Sequence, residues 1–283
     1  MEEKISNSQV WRLQITIILP SLILLILSQV SSKARQIGWL SILLIGCTTL
    51  LLQYIVLKLS CNYSSDSIVV DCENLFGPIW GRIVIIPCFY GIITANLFIA
   101  LQAFSFLKFI MKKAPAWPLW IGVGILIYYL VSTGLENIAR VIGFVMPLVI
   151  VSTTISIIVL FVFYQSTIEF SRLQPLTIDF KRLLAGSLIP AVWFIELPVV
   201  FLILKPFYKD AQGAVTASLG SNLVNQVIFI LVFIACIVVL GVELTSNLLF
   251  PYYQLMSFLV TGFEILLFTS WALAYILKLA IFC

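Results

Sequence analysis

One apolar stretch of the chain carries a carboxylate, Glu196, close to its middle. The stretch covers residues 183–204, and about 20 such residues as a helix cross a hydrocarbon core of about 30 Å. A carboxylate at that depth is costly, and it marks a binding site, an ion path or a proton relay. Glu196 is therefore the first candidate for binding a ligand, and its chemistry favours a cation or a proton.

Two prolines, Pro190 and Pro198, lie in the same stretch. Pro198 has no N–H, so the carbonyl of Phe194 loses its helical partner, and Leu197 is pushed toward an extended conformation. Lipid offers a freed carbonyl nothing, so this backbone is expected to face protein or a watery cavity. The alternative interpretation is a proline-kinked helix whose carboxylate is satisfied by a neighbouring group.

An ionised Glu196 at this depth needs a cation to compensate its charge. Lys205, at the end of the same stretch, is roughly 13 Å away along a helix. No basic residue is expected deep inside a neighbouring span. Glu196 is then either protonated and hydrogen-bonded to the backbone or ionised beside a cation that comes to it. In the second case we expect a ligand ammonium to meet Glu196 and the carbonyl of Phe194, with Leu197 and Pro198 beside them.

The composition is that of an integral membrane protein. Hydrophobic residues make up 62% of the 283 residues and charged residues 10%, and the mean hydropathy is +1.15. Soluble domains lie near ~45–50% apolar and ~25% charged. The chain has no histidine, which excludes serine–histidine catalysis and imidazole metal ligands.

Other classes of function find little support in the sequence. No basic run indicates nucleic-acid binding, and no cofactor is expected. Cys61 and Cys72 share a polar connection without the spacing of a metal site, which leaves chance or a local disulfide. No nucleophile–base pair or metal cluster is apparent, so we do not expect an enzyme.

Hydropathy predicts an all-α protein that forms a single transmembrane domain over residues 1–283. About eight spans are expected, and a lysine and arginine count on the two sides does not decide their orientation. Pro20 interrupts the first span, and Tyr90 and Asn96 are placed toward the bundle centre on the third, where interhelical bonding is the alternative role. The predicted spans are residues 13–30, 39–59, 83–110, 118–133, 138–164, 183–204, 223–242 and 261–279.

The order of several short motifs resembles the B subunits of spore germination receptors. These are permease-like proteins of the amino acid–polyamine–organocation superfamily. The most specific match is Ile195-Glu196-Leu197-Pro198 followed by Lys205-Pro206-Phe207, which is similar to the family's glutamate-bearing sixth helix. The other matching segments are residues 5–9, 33–41, 114–117, 134–140, Pro251 and 264–271.

The resemblance implies a LeuT-like fold of two inverted five-helix repeats, whose first and sixth helices are broken at a central site. Pro20 and the Pro190–Pro198 pair occupy those places, in line with the rule that interrupted spans in two halves indicate the site. The family normally has about ten spans. With about eight, the second repeat is expected to be incomplete and the chain shortened at its C-terminus.

The resemblance also implies a function. It is that of a germinant receptor subunit in the inner membrane of the spore, which binds a small molecule such as an amino acid and helps to trigger germination. Its partners would be A-type and C-type receptor subunits and the lipid bilayer. The alternatives are a proton-coupled amino-acid transporter, with Glu196 carrying the proton, and a degenerate scaffold that binds nothing.

Overall fold

The computed structural model describes residues 4–61, 68–113, 115–174, 177–259 and 263–282, and only the backbone at residues 75, 116, 259 and 263–267. These residues form a bundle of helices, which confirms the all-α class. The start of the predicted eighth span, residues 261 and 262, lies outside this part of the chain. The helices are α1 (Asn7–Ser21), a π-helical turn (Leu22–Ile26), α2 (Leu27–Ala34), α3 (Gly38–Ser60), α4 (Ile68–Phe76), α5 (Pro78–Ile110), α6 (Ala116–Ser132), α7 (Leu135–Phe163), α8 (Phe180–Leu204), α9 (Ala211–Asn247), α10 (Pro251–Leu259) and α11 (Phe263–Phe282).

Within the described residues, five helical segments are long and apolar enough to cross a membrane. Two shorter apolar helices, Trp117–Ser132 and Phe268–Phe282, accompany them. Lipid leaves backbone groups no partner outside the chain, which is why spans of this kind are helical. The protein is therefore a multi-pass membrane protein. The five segments are Asn7–Ser60, Pro78–Ile110, Leu135–Phe163, Phe180–Phe207 and Ala211–Asn247.

The first helices run parallel to α9. Near the start of α1, the Asn7 side-chain amide donates to Asp210 Oδ2 at 3.2 Å. Near the end of α2, Ser31 Oγ donates to the Val242 carbonyl at 3.3 Å. Residue numbers increase together along both elements, so α1 and α2 point the same way as α9.

Helix α3 runs the opposite way along α9. Gln226 Nε2 donates to the Leu43 carbonyl at 3.3 Å, and Gln53 Nε2 donates to Ser218 Oγ at 2.8 Å. The chain therefore reverses between α2 and α3, where Arg35 has a φ of 55°. The apolar stretch Asn7–Ser60 is thus two antiparallel segments, as hydropathy predicts.

The break that was expected in the sixth predicted span, residues 183–204, is not found. α8 is helical from Phe180 to Leu204 with both prolines inside it, so the prediction that Leu197 is extended was wrong. Neighbouring helices support a proline-containing membrane helix, and here α3 lies alongside. Ser41 Oγ of α3 donates to the Leu183 carbonyl at 2.9 Å.

The first helix is also uninterrupted, but its winding changes. Pro20 lies at the end of α1, and the next five residues, Leu22–Ile26, form a π-helical turn before α2 continues. Such a turn widens the helix locally and redirects backbone groups, and it is frequent at functional sites. Instead of the expected break at Pro20, the structure has a π-helical turn inside a continuous helix.

The N-terminal segment is fastened to the α8–α9 connection. Ile5 donates its N–H to the Phe207 carbonyl at 2.8 Å, and the Lys209 N–H donates to the Ile5 carbonyl at 3.1 Å. Ser6 and Gln9 form a capping box at the start of α1, which satisfies backbone N–H groups that the helix leaves unpaired. This geometry accounts for the motif at residues 5–9.

A glycine kink divides α9. Gly241 has φ 78° and ψ 168°, a conformation that favours glycine. The carbonyls before the kink find new partners, since the Glu169 N–H donates to Val238 at 2.9 Å and the Arg172 guanidinium donates to Val239. The connection between α7 and α8 is therefore held against the kink.

Candidate ligand-binding site

A cavity of about 340 Å³ lies between α5 and α8, and Glu196 forms part of its wall. The other residues that α8 contributes recur every three or four positions, as one helix face requires. Among the described residues that line the cavity, Glu196 alone carries a charge. The apolar wall includes Gly91, Ile92 and Ala95 of α5 and Val192, Ile195 and Val199 of α8.

The cation beside Glu196 is Lys278 of α11. Its Nζ lies 3.4 Å from Glu196 Oε2, with side-chain exposures of 0% for the lysine and 11% for the glutamate. The expectation that no basic residue lies deep inside a neighbouring span was therefore wrong. Lys278 is fully buried one turn before Phe282 of α11, and its side chain is turned toward α8.

Lys278 occupies a small cation-binding box made by three groups. Besides Glu196, its Nζ donates to Ser21 Oγ at 3.0 Å and lies 4.4 Å from the centre of the Trp193 ring. A carboxylate, a hydroxyl and an indole face are the groups that recognise ammonium ions. The protein thus places one of its own ammonium groups in a site suited to that chemistry.

The pair is electrostatic rather than fully hydrogen-bonded. Glu196 Oε2 has no hydrogen-bond partner among the described residues, although it is buried. A buried carboxylate with unused acceptor capacity is costly. Glu196 is therefore able to accept a further donor.

Two other groups hold the first helix against this box. Tyr275, one turn before Lys278 on α11, donates its hydroxyl to the Pro20 carbonyl at 3.1 Å. On the opposite side, Gln14 Nε2 of α1 donates to the Leu197 carbonyl of α8 at 3.4 Å. The π-helical turn therefore starts where α1, α8 and α11 meet.

Comparison with known proteins identifies the family. The family model described as spore germination protein, the spore permease family, matches residues 4–283. The chain belongs to the spore germination permease family. The resemblance of the sequence motifs is thereby confirmed over nearly the whole chain.

One relative of this spore germination permease is the spore germination protein YndE of Bacillus subtilis (strain 168). The two are 28% identical over an alignment of 255 positions, which covers 83% of this chain and 65% of YndE. The chain thus spans about 65% of the length of the relative that it matches.

Three residues predicted on α8 of the permease do not share the cavity face with Glu196. Phe194 and Leu197 have no exposed surface and belong to the hydrophobic core, and Pro198 is partly buried on the same side of the helix. At 100° per residue these three positions lie across α8 from the cavity. These three residues therefore do not line this cavity, and they pack on the side of α8 opposite to Glu196.

The two predicted residues on α5 have different positions. Tyr90 is 69% exposed and points away from the bundle, so its placement at the bundle centre was wrong. Asn96 is partly buried, and its side-chain amide donates to the Phe282 carbonyl at 3.1 Å. Since Phe282 lines the cavity, Asn96 holds one edge of the site by interhelical bonding.

Lys278 had a signal in the sequence. Phe268, Trp271, Tyr275 and Lys278 are spaced three or four residues apart, which places them on one face of a helix. All four are 2% exposed or less. An aromatic face that ends in a lysine indicates that the lysine is turned inward with the aromatic residues.

The arrangement offers groups that suit the binding of a small molecule. No group of three or more potential metal-ligating side chains occurs in the described part of the chain. What the site offers is an apolar space, one carboxylate with unused acceptor capacity and a buried ammonium beside it. These groups can bind charged ends of a small molecule and can exchange partners.

Proposed function

We propose that this spore germination permease is a membrane subunit of a germinant receptor that binds a small germinant such as an amino acid. The observation that carries the proposal is Glu196, buried at the wall of an apolar cavity and paired with Lys278 across two helices. Small-molecule sites are mostly apolar, with few polar groups, and measure about 300–1,000 Å³. A cavity of about 340 Å³ with one carboxylate has this character.

The wider assignment rests on the family. A permease in the spore germination family is expected to act in the inner spore membrane, with A-type and C-type receptor subunits as partners. It is expected to be neither an enzyme nor a nucleic-acid-binding protein. Binding of the germinant would change the packing of α5, α8 and α11 around Glu196, and the partner subunits would pass on that change.

A proton-coupled amino-acid transporter is the second candidate, because a buried carboxylate–lysine pair is also a feature of proton relays. The two functions differ in what crosses the membrane. Uptake of radiolabelled L-alanine, L-valine and L-leucine into proteoliposomes, driven by a pH gradient, tests the transporter. Uptake above that of empty liposomes would favour it over a sensor.

The receptor proposal is tested by a germination dose–response in spores whose protein carries Glu196→Gln. Glutamine keeps the size of the side chain but cannot hold a cation, so the half-maximal amino-acid concentration should rise by about tenfold or more, equivalent to at least one charge-assisted hydrogen bond. Immunoblots of spore membranes check that the protein is present.

The matched control is Glu136→Gln. Glu136 forms a more exposed ion pair with Arg140, at 2.6 Å on α7, away from the cavity-lining residues. The control should leave the dose–response unchanged. An unchanged response in Glu196→Gln at normal abundance would instead make Glu196 a structural carboxylate and would contradict the proposal.

A further inference from the structure

Lys278 stands where a ligand ammonium was expected, beside Glu196. Its Nζ contacts Glu196, Ser21 and the Trp193 ring. A structural ion pair needs only the glutamate, whereas these three groups together form an ammonium-binding box. From this arrangement we propose that Lys278 is itself a ligand-binding residue: it gives up Glu196 to the ammonium of the ligand and binds the carboxylate of the ligand.

The net charge of the site supports this exchange. Glu196 and Lys278 together are neutral, and each lies in a region from which water is nearly excluded. A zwitterion keeps that balance, because its ammonium pairs with Glu196 and its carboxylate with Lys278. An amine would leave one positive charge too many and a carboxylic acid one negative charge too many, and uncompensated charge in this environment is expensive.

Lys278 does not itself line the cavity, but its ion-pair partner does. Glu196 belongs to both the cavity wall and the ion pair. Phe282, which also lines the cavity, follows Lys278 by one turn on the same face of α11. The exchange requires the four-carbon stem of Lys278 to rotate, so that its ammonium leaves Glu196 for the carboxylate of the ligand.

The wall of the cavity defines the rest of the ligand. Apart from Glu196 it is apolar, with the thiol of Cys88 as its most polar other side chain. The cavity is partly open, since Val192 and Ile195 of its wall are 66% and 52% exposed. A ligand bound there should carry a small apolar side chain, which suits the apolar wall. The inference rests on the proposed function and specifies its ligand class as zwitterionic amino acids with apolar side chains.

The test measures binding to the purified full-length chain in lipid nanodiscs. The probes are three matched pairs in which the amine lacks only the carboxylate of the amino acid: alanine and ethylamine, valine and isobutylamine, leucine and isoamylamine. The wild-type protein should bind at least one amino acid about tenfold or more tightly than its amine. Lys278→Met should reverse that order, because Glu196 then lacks a cation and the ligand carboxylate lacks a partner.

Lys278→Arg is the conservative variant. A guanidinium keeps the positive charge and binds carboxylates well, so this variant should still prefer the amino acid. A lysine with a structural role alone would give a different result, since Lys278→Met would then weaken both members of a pair by the same factor. That equal loss would overturn the inference and leave the proposed function standing.

Two outcomes do not depend on the folding of Lys278→Met. If the wild-type protein binds an amine as tightly as the matching amino acid, Lys278 does not bind the carboxylate of the ligand, and the inference is wrong. If none of the six probes binds to the wild-type protein, the proposed function fails for this ligand class, and the inference fails with it.

Discussion

Replacing Lys278 by methionine should destabilise the protein strongly, and neutralising Glu196 at the same time should restore most of the loss. The two charges are 3.4 Å apart, which at an effective dielectric constant of about 20 corresponds to about 5 kcal/mol of attraction. Breaking a buried pair from one side costs about 3–5 kcal/mol, because the remaining charge is left uncompensated. Replacing both partners removes that cost, and the result is often close to neutral.

The measurement is a double-mutant cycle of wild type, Glu196→Gln, Lys278→Met and the double variant. Equilibrium unfolding in mixed detergent micelles gives the free energy of each. We expect a coupling free energy of about 3 kcal/mol, at the upper end for side chains in contact. The control cycle uses Glu136→Gln and Arg140→Met, whose more exposed pair should couple by less than about 1 kcal/mol. Additive losses at Glu196 and Lys278 would refute the pairing on which the site is built.

Three further predictions concern the scaffold around the site. Gly186→Ala should lower the free energy of unfolding by about 1–3 kcal/mol, since its new methyl would lie 2.5 Å from a side-chain carbon of α2; Gly122→Ala, which meets nothing within 4 Å, should leave thermal stability unchanged or slightly raised. Asp210 accepts the N–H groups of Gly213 and Gln212 at the start of α9, and these bonds together with the Asn7 amide lower the pKa of its carboxyl below 3.8. The ionised carboxylate of Asp210 therefore stabilises the fold fully above pH 3.8, and this stabilisation is lost as the pH falls through the lowered pKa. Asp210→Ala should have a lower melting temperature than the wild type at pH 7, and the two melting temperatures should become equal in strong acid. Tyr275→Phe removes the donor to the Pro20 carbonyl of α1 and should lower the free energy of unfolding by about 0.5–1.5 kcal/mol. An unchanged free energy of unfolding would show that this hydrogen bond does not stabilise the protein.

Glu196 was predictable from the sequence because its signal is local. A carboxylate and two prolines in one apolar stretch indicate a site without knowledge of any other helix. The helical class and the positions of the long apolar helices have the same origin, since hydropathy over a window of about 19 residues predicts them. Pro20 likewise indicated an irregularity in the first span, but the sequence did not indicate that this irregularity is a π-helical turn.

The local sequence around Lys278 indicates that its side chain is turned inward, but not which group it meets. Lys278 and Glu196 are 82 residues apart in the sequence. Their pairing depends on how α8 and α11 pack together, which no local pattern indicates. The conformation of Leu197 was mispredicted for a related reason. The local preference before a proline is extended, but the helices around α8 keep the backbone helical.

Tyr90 shows a third limit. α5 is apolar on nearly all sides, so no hydrophobic face distinguishes lipid from protein. Of its 33 residues only five are buried, namely Gly81, Ile85, Ile99, Ala103 and Phe106. The sequence of such a helix does not indicate whether a polar side chain faces the lipid or the protein. Tyr90 is exposed, whereas Asn96 donates to the Phe282 carbonyl of α11.

The central claim, that a small ligand occupies the cavity between α5 and α8 beside Glu196, is tested most directly by photolabelling with a diazirine analogue of leucine. The full-length protein in nanodiscs is irradiated with the analogue, and the labelled residues are identified by mass spectrometry. We expect labels within residues 87–95 of α5 and 192–200 of α8, suppressed by excess leucine and absent in Glu196→Gln. Labels at other helices, or labels in the cavity that persist in Glu196→Gln, would contradict the claim.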